Sequence, residues 1–236
     1  MSLFLSRLTL RRDPATDALK QLIDPSERAR ALDAHHRLLW TAFADDPDRR
    51  RDFLWRSDGH GVFFVLSARP PANAPLFAPP EMKDFAPDLS AGDRLVFTLR
   101  ANATKDRPTR HLATSKQGGS RDRRVDVVMD ALHAMPAGAP RAEARMRVAA
   151  EQAEKWLSAQ GARNGFAVCD LAVEDYSVMA LPGHAGRRAG QPQFGVLDLT
   201  GEIEVTDPQA FVTKLGGGFG RAKAFGCGLM LIRRSG

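Results

Sequence analysis

Apolar and polar residues alternate in the opening stretch SLFLSRLTL, which predicts a strand around residues 4–10. Two further extended runs, Phe53 to Arg56 and Val62 to Ala68, are joined by the turn-forming residues SDGHG. Glycine and aspartate in such a connection favour a tight turn between adjacent strands. The first part of the chain therefore contains at least three predicted strands.

A helical pattern separates the first strand from the other two, in DPSERARALDAHHRLLWTAF. Asp24 and Glu27 have the spacing of a capping box, and Pro25 occupies the first helical position. We therefore predict a helix over residues 25–44. The order strand, helix, strand, strand is the first half of a ferredoxin-like βαββαβ unit. The second helix of that unit would fall in RPPANAPLFAPPEMKDFAP, where the prolines predict that it is short or absent.

The same pattern restarts in AGDRLVFTLRANATK, where a strand is predicted around Leu95 to Ala101. A domain boundary is expected near residue 92. A long helix over residues 141–160 follows, and its apolar positions share one face: Met146, Ala149, Ala150, Ala153, Trp156 and Leu157.

The last part of the chain completes a second unit. GFAVCDLAVEDYSVMAL and FGVLDLTGEIEVT have extended patterns, and GCGLMLIRR supplies a final strand. Between them, DPQAFVTKLGG predicts a short helix with Asp207 as N-cap and Gly216 at its end. We therefore expect an α+β protein of two tandem ferredoxin-like domains, over residues 1–92 and 93–236.

Composition adds a preference for one class of partner. The chain has 34 Lys+Arg against 28 Asp+Glu and a net charge of +6. Arginine supplies most of the positive charge, and guanidinium groups bind phosphates bidentately, so a polyanion is favoured. The two cysteines lie far apart, and no carboxylate pair or His/Cys cluster has metal-site spacing, so no disulfide, metal or cofactor is expected. Without a long apolar run or a signal-peptide pattern, the protein is expected to be soluble and cytoplasmic, with no membrane partner.

A glycine-rich stretch lies near the C-terminus, in KLGGGFGRAKAFGCGLMLIRR. A Walker loop or a dinucleotide fingerprint needs a strand before the glycines and a helix after them, whereas here the order is reversed. Two interpretations stay open: a tight helix-to-strand connection with surface charges, or a loop whose backbone approaches a ligand closely beside Arg221 and Lys223.

The sequence GFGRAKAFGCGLMLI resembles the glycine-rich loop of repeat-associated RNA-processing proteins of CRISPR systems, and in particular the CasE family of type I-E crRNA-processing endoribonucleases. Further matches occur in the family's order across nearly the whole chain: LFLSRLTL, HHRLLWTAF, RDFLWR, LVFTLRANATK, RRVDVV and EKWLSAQGARNGF. The resemblance implies two ferredoxin-like domains and a metal-independent endoribonuclease without a small-molecule cofactor. Such a protein binds the CRISPR repeat hairpin, cuts at the 3′ base of its stem and stays on the crRNA with the other Cascade subunits.

Cleavage of RNA without a metal requires proton transfers, for which histidine is suited because its ordinary pKa is close to neutrality. On the first predicted helix, His35 and His36 lie on either side of the centre of the apolar arc, and His36 is nearer to the polar edge at Asp33 and Arg37. The family's motif histidine lies four residues before a tryptophan, which again selects His36, and His35 is expected to be structural.

One feature departs from the family. Some relatives have a tyrosine three residues before the motif histidine, where this chain has Asp33, and Tyr176 is its only tyrosine. Any second catalytic group must therefore be something other than a tyrosine, and it is left unassigned. A carboxylate at Asp33 could orient His36, raise its pKa or simply face solvent.

The RNA-binding candidates are basic residues on loops and the glycines between them, because A-form stems are recognised by shape and phosphate contacts. They are Arg37, Arg123, Arg124, Arg187, Arg188, Gly218, Gly220, Arg221 and Lys223, with Arg123 and Arg124 at the end of a basic loop from Lys105 to Arg124. Two other functions stay open: a non-catalytic RNA-binding subunit of the same superfamily, and a small-molecule enzyme on a ferredoxin-like fold.

Overall fold

A computed structural model describes residues 2–26, 28–46, 48–107, 123–181 and 193–235. The strands are β1 Phe4–Thr9, β2 Phe53–Gly59, β3 Val62–Ser67, β4 Glu81–Asp84, β5 Arg94–Ala101, β6 Thr104–Arg107, β7 Arg123–Asp126, β8 Phe166–Ala180, β9 Gln193–Val205 and β10 Met230–Arg234. The helices are α1 Pro14–Ala18, α2 Lys20–Ile23, α3 Arg28–Trp40, α4 Val127–Ala134, α5 Arg141–Asn164 and α6 Pro208–Gly217, and a 3₁₀ turn spans Lys223–Phe225.

The first sheet has the antiparallel order β2-β3-β1-β4, which is the strand order of a ferredoxin-like unit. Leu8 pairs with Phe63 across β1 and β3, and both are buried beneath helix α3. The second sheet repeats this order as β10-β5-β9-β8, with Leu99 opposite Leu199 in its core. The predicted fold class, α+β with two ferredoxin-like units, is confirmed.

The first helix differs from its predicted boundaries. It begins at Arg28 rather than at Pro25, and two short helices precede it. The carboxylate of Asp24 lies 2.9 Å from the Nε2 atom of His35, so it binds a histidine within the helix. Glu27, the other half of the predicted capping box, lies outside the described residues.

The proline-rich stretch forms no second helix in its described residues, which agrees with the prediction. It contributes strand β4 instead, together with the buried side chains of Ala74 and Phe77. Proline lacks a backbone N–H and cannot complete a helical hydrogen-bond pattern. A short edge strand within the stretch pairs its backbone groups with β1 instead.

Helix α5 carries most of the core of the second unit. Trp156 and Leu157 are buried, as predicted, but Met146 is 41% exposed and Ala150 is also exposed, so both assignments to the buried face were wrong. Helix α4, which the sequence pattern did not predict, packs against α5, and the side chains buried near the start of α5 are Ala144 and Val148.

The two units meet through polar contacts as well as apolar ones. Arg56 of β2 donates to the hydroxyl of Thr98 on β5 at 2.8 Å, and the indole of Trp55 donates to the carbonyl of Ala224 at 3.3 Å. Cys169 and Cys227 are both free thiols, the first exposed and the second buried. Over the described ranges, no helix combines the length and apolar character needed to cross a membrane.

Candidate active site

His36 lies on the half-buried flank of α3. The indole N–H of Trp40 donates to His36 Nε2 at 3.2 Å, and an indole is a donor only, so Nε2 carries no proton in this geometry. Burial is the main cause that lowers the pKa of His36, and the positive charges of Arg51 and Arg37 lower it further, while Asp33 opposes them. His36 is therefore a neutral imidazole near pH 7 and can accept a proton.

His35 has the opposite environment one residue away. It is only 7% exposed, it binds Asp24, and its ring meets Phe63 edge-on with centroids 4.9 Å apart. Burial lowers its pKa despite the neighbouring carboxylate. His35 therefore belongs to the core of the first unit and has little access to a substrate.

Arg51, just before β2, lies close enough for its charge to act on His36, and it was not among the site residues predicted from the sequence. One of its guanidinium nitrogens, Nη1, is fully enclosed and has no hydrogen-bond partner. Burial lowers the pKa of Arg51, and its charge in turn lowers the pKa of both His36 and Lys223. The neutral imidazole and the two cations are thus coupled electrostatically, and we call them the His36–Arg51–Lys223 cluster.

Lys223 reaches this cluster because the glycine-rich loop folds back between the two units. The Phe219 side chain is fully buried, and the backbone N–H of Phe219 donates to the carbonyl of Gly228 at 2.9 Å. The following 3₁₀ turn packs on α3 and β2, which sets Lys223 near the first unit. The Lys223 ammonium group donates to the carbonyl of Gly217 at the end of α6.

Two glycines of the loop are required by contacts within the protein. Gly218 has φ +73°, and a Cβ there would lie 2.8 Å from Leu54 Cδ1. Gly220 has φ +67°, and a Cβ there would lie 2.4 Å from the carbonyl oxygen of Asn102. Packing and left-handed backbone thus explain both glycines, and their contact with RNA stays a prediction.

A groove of 730 Å³ lies on the second unit, and Lys214 in its lining also lines a pocket together with Lys223. Its basic lining residues are Lys105, Arg124, Lys155, Arg163, Lys214 and Arg221. Lys105 and Arg124 are paired with Asp130 and Asp106, at 2.9 Å and 2.8 Å. Burial lowers the pKa of Lys214, with smaller effects of Lys223 and then Arg163. Positive charge is therefore continuous from this groove through Lys214 to Lys223 and Arg51.

The family model described as "CRISPR associated protein" matches residues 3–234. The chain belongs to this family. The match covers nearly the full sequence, so it includes α3, the glycine-rich loop and both sheets. The resemblance to CasE proteins that the sequence motifs indicated is confirmed.

Solved structures of CRISPR proteins share the fold over nearly the whole chain. The endoribonuclease Cse3 bound to a 19 nt RNA is 22% identical, with a TM-score of 0.64 over 98% of this chain and 99% of that chain. Thermus thermophilus Cse3 bound to an RNA representing a pre-cleavage complex is 24% identical, with a TM-score of 0.61 over 99% and 100%. A chain of a CRISPR RNA-guided surveillance complex is 18% identical, with a TM-score of 0.54 over 98% and 100%. None of the curated proteins compared with the chain matches it significantly.

Within this CRISPR-associated fold, the remaining predicted residues are distributed unevenly. Arg221 and Arg124 line the basic groove, whereas Arg37 is exposed on α3 and pairs with Asp33 at 2.9 Å. The backbone of Arg123 lies in β7. Arg187 and Arg188 lie outside the described residues, as does the middle of the predicted basic loop, 108–122.

Tyr176 is removed from the candidate site. It is 3% exposed in the second core, and its hydroxyl donates to Asp126 at 3.0 Å. Burial, followed by the charge of Asp126, raises the pKa of Tyr176. No group of three or more His, Cys, Asp or Glu residues that could hold a metal occurs within the ranges that the structure describes.

Sequence reasoning missed four residues of the site and groove, namely Arg51, Lys155, Arg163 and Lys214. A pattern was available for Arg51, because it ends a run of three arginines directly before a strand. Lys155 and Arg163 lie eight positions apart on a helix, a spacing that keeps them near one face. Lys214 precedes the glycines but was assigned only to the end of a helix.

Proposed function

We propose that this protein is a metal-independent endoribonuclease that binds the CRISPR repeat hairpin of precursor crRNA and cuts at the 3′ base of the stem. It keeps the mature crRNA and joins the other subunits of a Cascade surveillance complex in the cytoplasm. Family membership and the likeness to RNA-bound Cse3 and to a chain of an RNA-guided surveillance complex support this.

The observation that carries the proposal is the neutral His36 imidazole beside two cationic side chains. His36 removes the proton of the 2′-hydroxyl through Nε2, which exchanges its hydrogen bond from Trp40 for one from the substrate. The activated oxygen then attacks the adjacent phosphorus. Arg51 and Lys223 supply positive charge near the site where negative charge develops. The products are a 2′,3′-cyclic phosphate, or the 3′-phosphate formed from it, and a 5′-hydroxyl.

The same electrostatics allows His36 to return a proton. In the free protein, burial and Arg51 hold the pKa of His36 low. Bound phosphates bring negative charge next to these cations, which raises the pKa of the imidazole relative to the free protein. A protonated His36 then delivers its proton to the departing 5′-oxygen.

The basic groove is the proposed binding surface for the stem. Its lysines and arginines can neutralise phosphates without reading bases, as recognition of an A-form stem requires. Because Lys214 and Arg221 line the groove and Lys223 follows in the same loop, an RNA held there runs towards His36. The predicted contacts of Arg124 and Arg221 belong to this surface, and Lys223 lies beyond it in the cavity that it shares with Arg51.

Cleavage of the cognate repeat RNA in excess EDTA tests the function. We expect cutting by the wild type and by His35→Asn, provided that the latter is folded, and loss of about 10²–10⁴-fold in rate for His36→Ala with hairpin binding retained. Dependence on added metal would contradict metal independence. If the wild type bound the hairpin but never cut it, the protein would be a non-catalytic RNA-binding subunit.

A further inference from the structure

Arg51 is an enclosed cation with unused hydrogen-bonding capacity. Its side chain is half-buried, and Nη1 is shielded from solvent without any acceptor. A buried donor normally finds a partner, because leaving it unpaired is unfavourable. Such a group in a native fold is explained when the acceptor is a ligand that binds there.

The nearby carboxylates do not neutralise Arg51. Asp52, the next residue, accepts from Arg69 at 2.7 Å through Oδ2, while its Oδ1 is enclosed and makes no hydrogen bond with Arg51 or any other group that the structure describes. Asp45 also pairs with Arg69. Burial is the single cause that lowers the pKa of Arg51, so no acidic group offsets it. The other groups that act on His36 are Asp33 and Arg37 on its own helix, and these two pair with each other.

Arg51 and Lys223 line one cavity of 630 Å³ at the junction of the two units. Gln209 and Thr213 of α6 line it as well, so uncharged polar groups are available beside the cations. This volume lies within the range of small-ligand pockets. Asp52 lines the cavity too, and Arg69 binds its carboxylate through Oδ2. An anion in the cavity would therefore meet two positive groups and two neutral polar side chains against one paired carboxylate.

We propose that Arg51 is a catalytic residue whose guanidinium binds a non-bridging oxygen of the scissile phosphate, with Lys223 at the other such oxygen. This assignment rests on the proposed function and supplies the group that the sequence left open when Asp33 replaced the motif tyrosine. The O2′–P bond forms as the P–O5′ bond breaks, one proton leaves the 2′-hydroxyl, and one reaches the 5′-oxygen. Arg51 takes no proton; it stabilises the additional negative charge of the phosphorane.

Arg51→Gln removes the charge and the bidentate donor set, and the adjacent Arg50→Gln is the matched control on an exposed position. In single-turnover cleavage of the repeat hairpin we expect Arg51→Gln to lower the rate about 10²–10³-fold, as for other preorganised donors. Arg51→Lys recovers part of the rate, because it restores charge without the planar fork. We expect Arg51→Gln to bind a hairpin with a 2′-deoxy nucleotide at the cut site with nearly the affinity of the wild type.

A second readout separates catalysis from folding. Because Arg51 lowers the pKa of His36, Arg51→Gln raises that pKa in the free protein, whereas Arg50→Gln leaves the titration of the imidazole as in the wild type. The imidazole is followed by NMR. The melting temperature of Arg51→Gln stays at or above that of the wild type, because an enclosed unpaired cation is removed.

The role of Arg51 is overturned if Arg51→Gln cuts at the wild-type rate, or if deoxy-hairpin affinity falls as much as the rate. Failure of the proposed function gives a different result, a wild type that binds the hairpin and leaves it intact. That result would also exclude a catalytic role for Arg51. Titration with inorganic phosphate still reports whether Arg51 side-chain resonances shift in the wild type, and an absent shift removes the anion site itself.

Discussion

His35 and His36 show how one residue of helical register separates a core group from a half-buried group. His35 faces Phe63 and Asp24 within the first unit, whereas His36 faces Trp40 and Arg51 at the junction. Their positions on the apolar arc of the sequence were sufficient to tell them apart, since a helix turns about 100° per residue. The two residues are both histidines, so the difference in their access to a substrate follows from the difference in their burial.

His35 makes the fold sensitive to acid. Its pKa in the folded protein is lowered, mainly by burial, so the unfolded chain binds the proton more readily. Stability is therefore fully present above the ordinary histidine pKa of about 6.5 and falls as pH drops below it. We expect thermal melts between pH 7.5 and pH 5 to show this fall, and His35→Asn to have a shallower pH dependence from a lower starting stability.

The control for this experiment is His133→Gln, because His133 is exposed on α4. It should retain the wild-type slope of melting temperature against pH. An unchanged slope in His35→Asn would show that His35 does not carry the acid sensitivity.

Gly220 cannot be replaced without cost. Alanine there combines a left-handed φ of +67° with a Cβ 2.4 Å from the carbonyl oxygen of Asn102. We expect Gly220→Ala to lower the free energy of unfolding by at least about 1–3 kcal/mol, from the backbone conformation alone. Denaturant titration measures this, with Gly217→Ala as the control, because no atom lies within 4 Å of a Cβ at that position. Equal stability of the two variants would contradict the packing role.

The sequence predicted only those residues of the candidate site that lie in a recognisable local motif. His36 and Lys223 stand in recognisable motifs, but the proximity of Arg51 to both depends on how β2 and the 3₁₀ turn pack on α3. The hydrophobic periodicity of a single segment gives no information about such packing between distant segments. The sequence alone excluded Tyr176 as the second catalytic group, and its burial in the second core, where Asp126 accepts its hydrogen bond, agrees with that.

At the scale of elements, strands and the long helices followed from hydrophobic period, and the misses have identifiable physical causes. The start of α3 was misplaced because Asp24 binds His35. Met146 was assigned to the core because α4 was not foreseen, and the buried face near the start of α5 is instead formed by Ala144 and Val148. A short helix and an edge strand have too few residues for a clear period. The proposed domain limits, 1–92 and 93–236, stay a prediction.

Helix α5 presents one face to the basic groove and another to solvent, which allows a paired test of RNA binding. Lys155 lines the groove, whereas Arg147 is exposed and pairs with Glu151 at 2.7 Å. Lys155→Gln should weaken hairpin binding and reduce the slope of log affinity against log salt by about 0.7–0.9, one phosphate contact. Arg147→Gln should leave the slope unchanged. Binding isotherms at several salt concentrations measure both, and equal slopes for the two variants would exclude a phosphate contact at Lys155.

For the whole molecule, the junction between the two units matters most, because the His36–Arg51–Lys223 cluster is assembled across it. His36 and Arg51 come from the first unit, and Lys223 comes from the loop before β10. Arg56, half-buried at the same junction, donates to Thr98 through one nitrogen, while its Nε is enclosed without a partner. The alignment of the cluster therefore depends on the hydrogen bond from Arg56 to Thr98, because the Nε atom of Arg56 makes no second hydrogen bond.

Thr98→Val tests this dependence. The variant removes the acceptor for Arg56 and leaves the guanidinium further unsatisfied, which should cost about 1–3 kcal/mol of stability and lower the cleavage rate. Thr200→Val is the matched control, because the Thr200 hydroxyl donates to Glu174 in an exposed contact. Denaturant titration and single-turnover cleavage follow both variants. If Thr98→Val behaved like Thr200→Val, the junction would not depend on this hydrogen bond.

The position of Lys223 in the chain also sets an order of events during translation. The ribosome makes the helix with His36 early, and strand β5, the central partner of β10, stands unpaired on that side until the glycine-rich loop and β10 emerge. A nascent chain can thus fold its first sheet and still lack the lysine that completes the cluster. Under the proposed function, messenger RNA near the translating ribosome would meet an incomplete site, and cleavage would begin only after the loop docks.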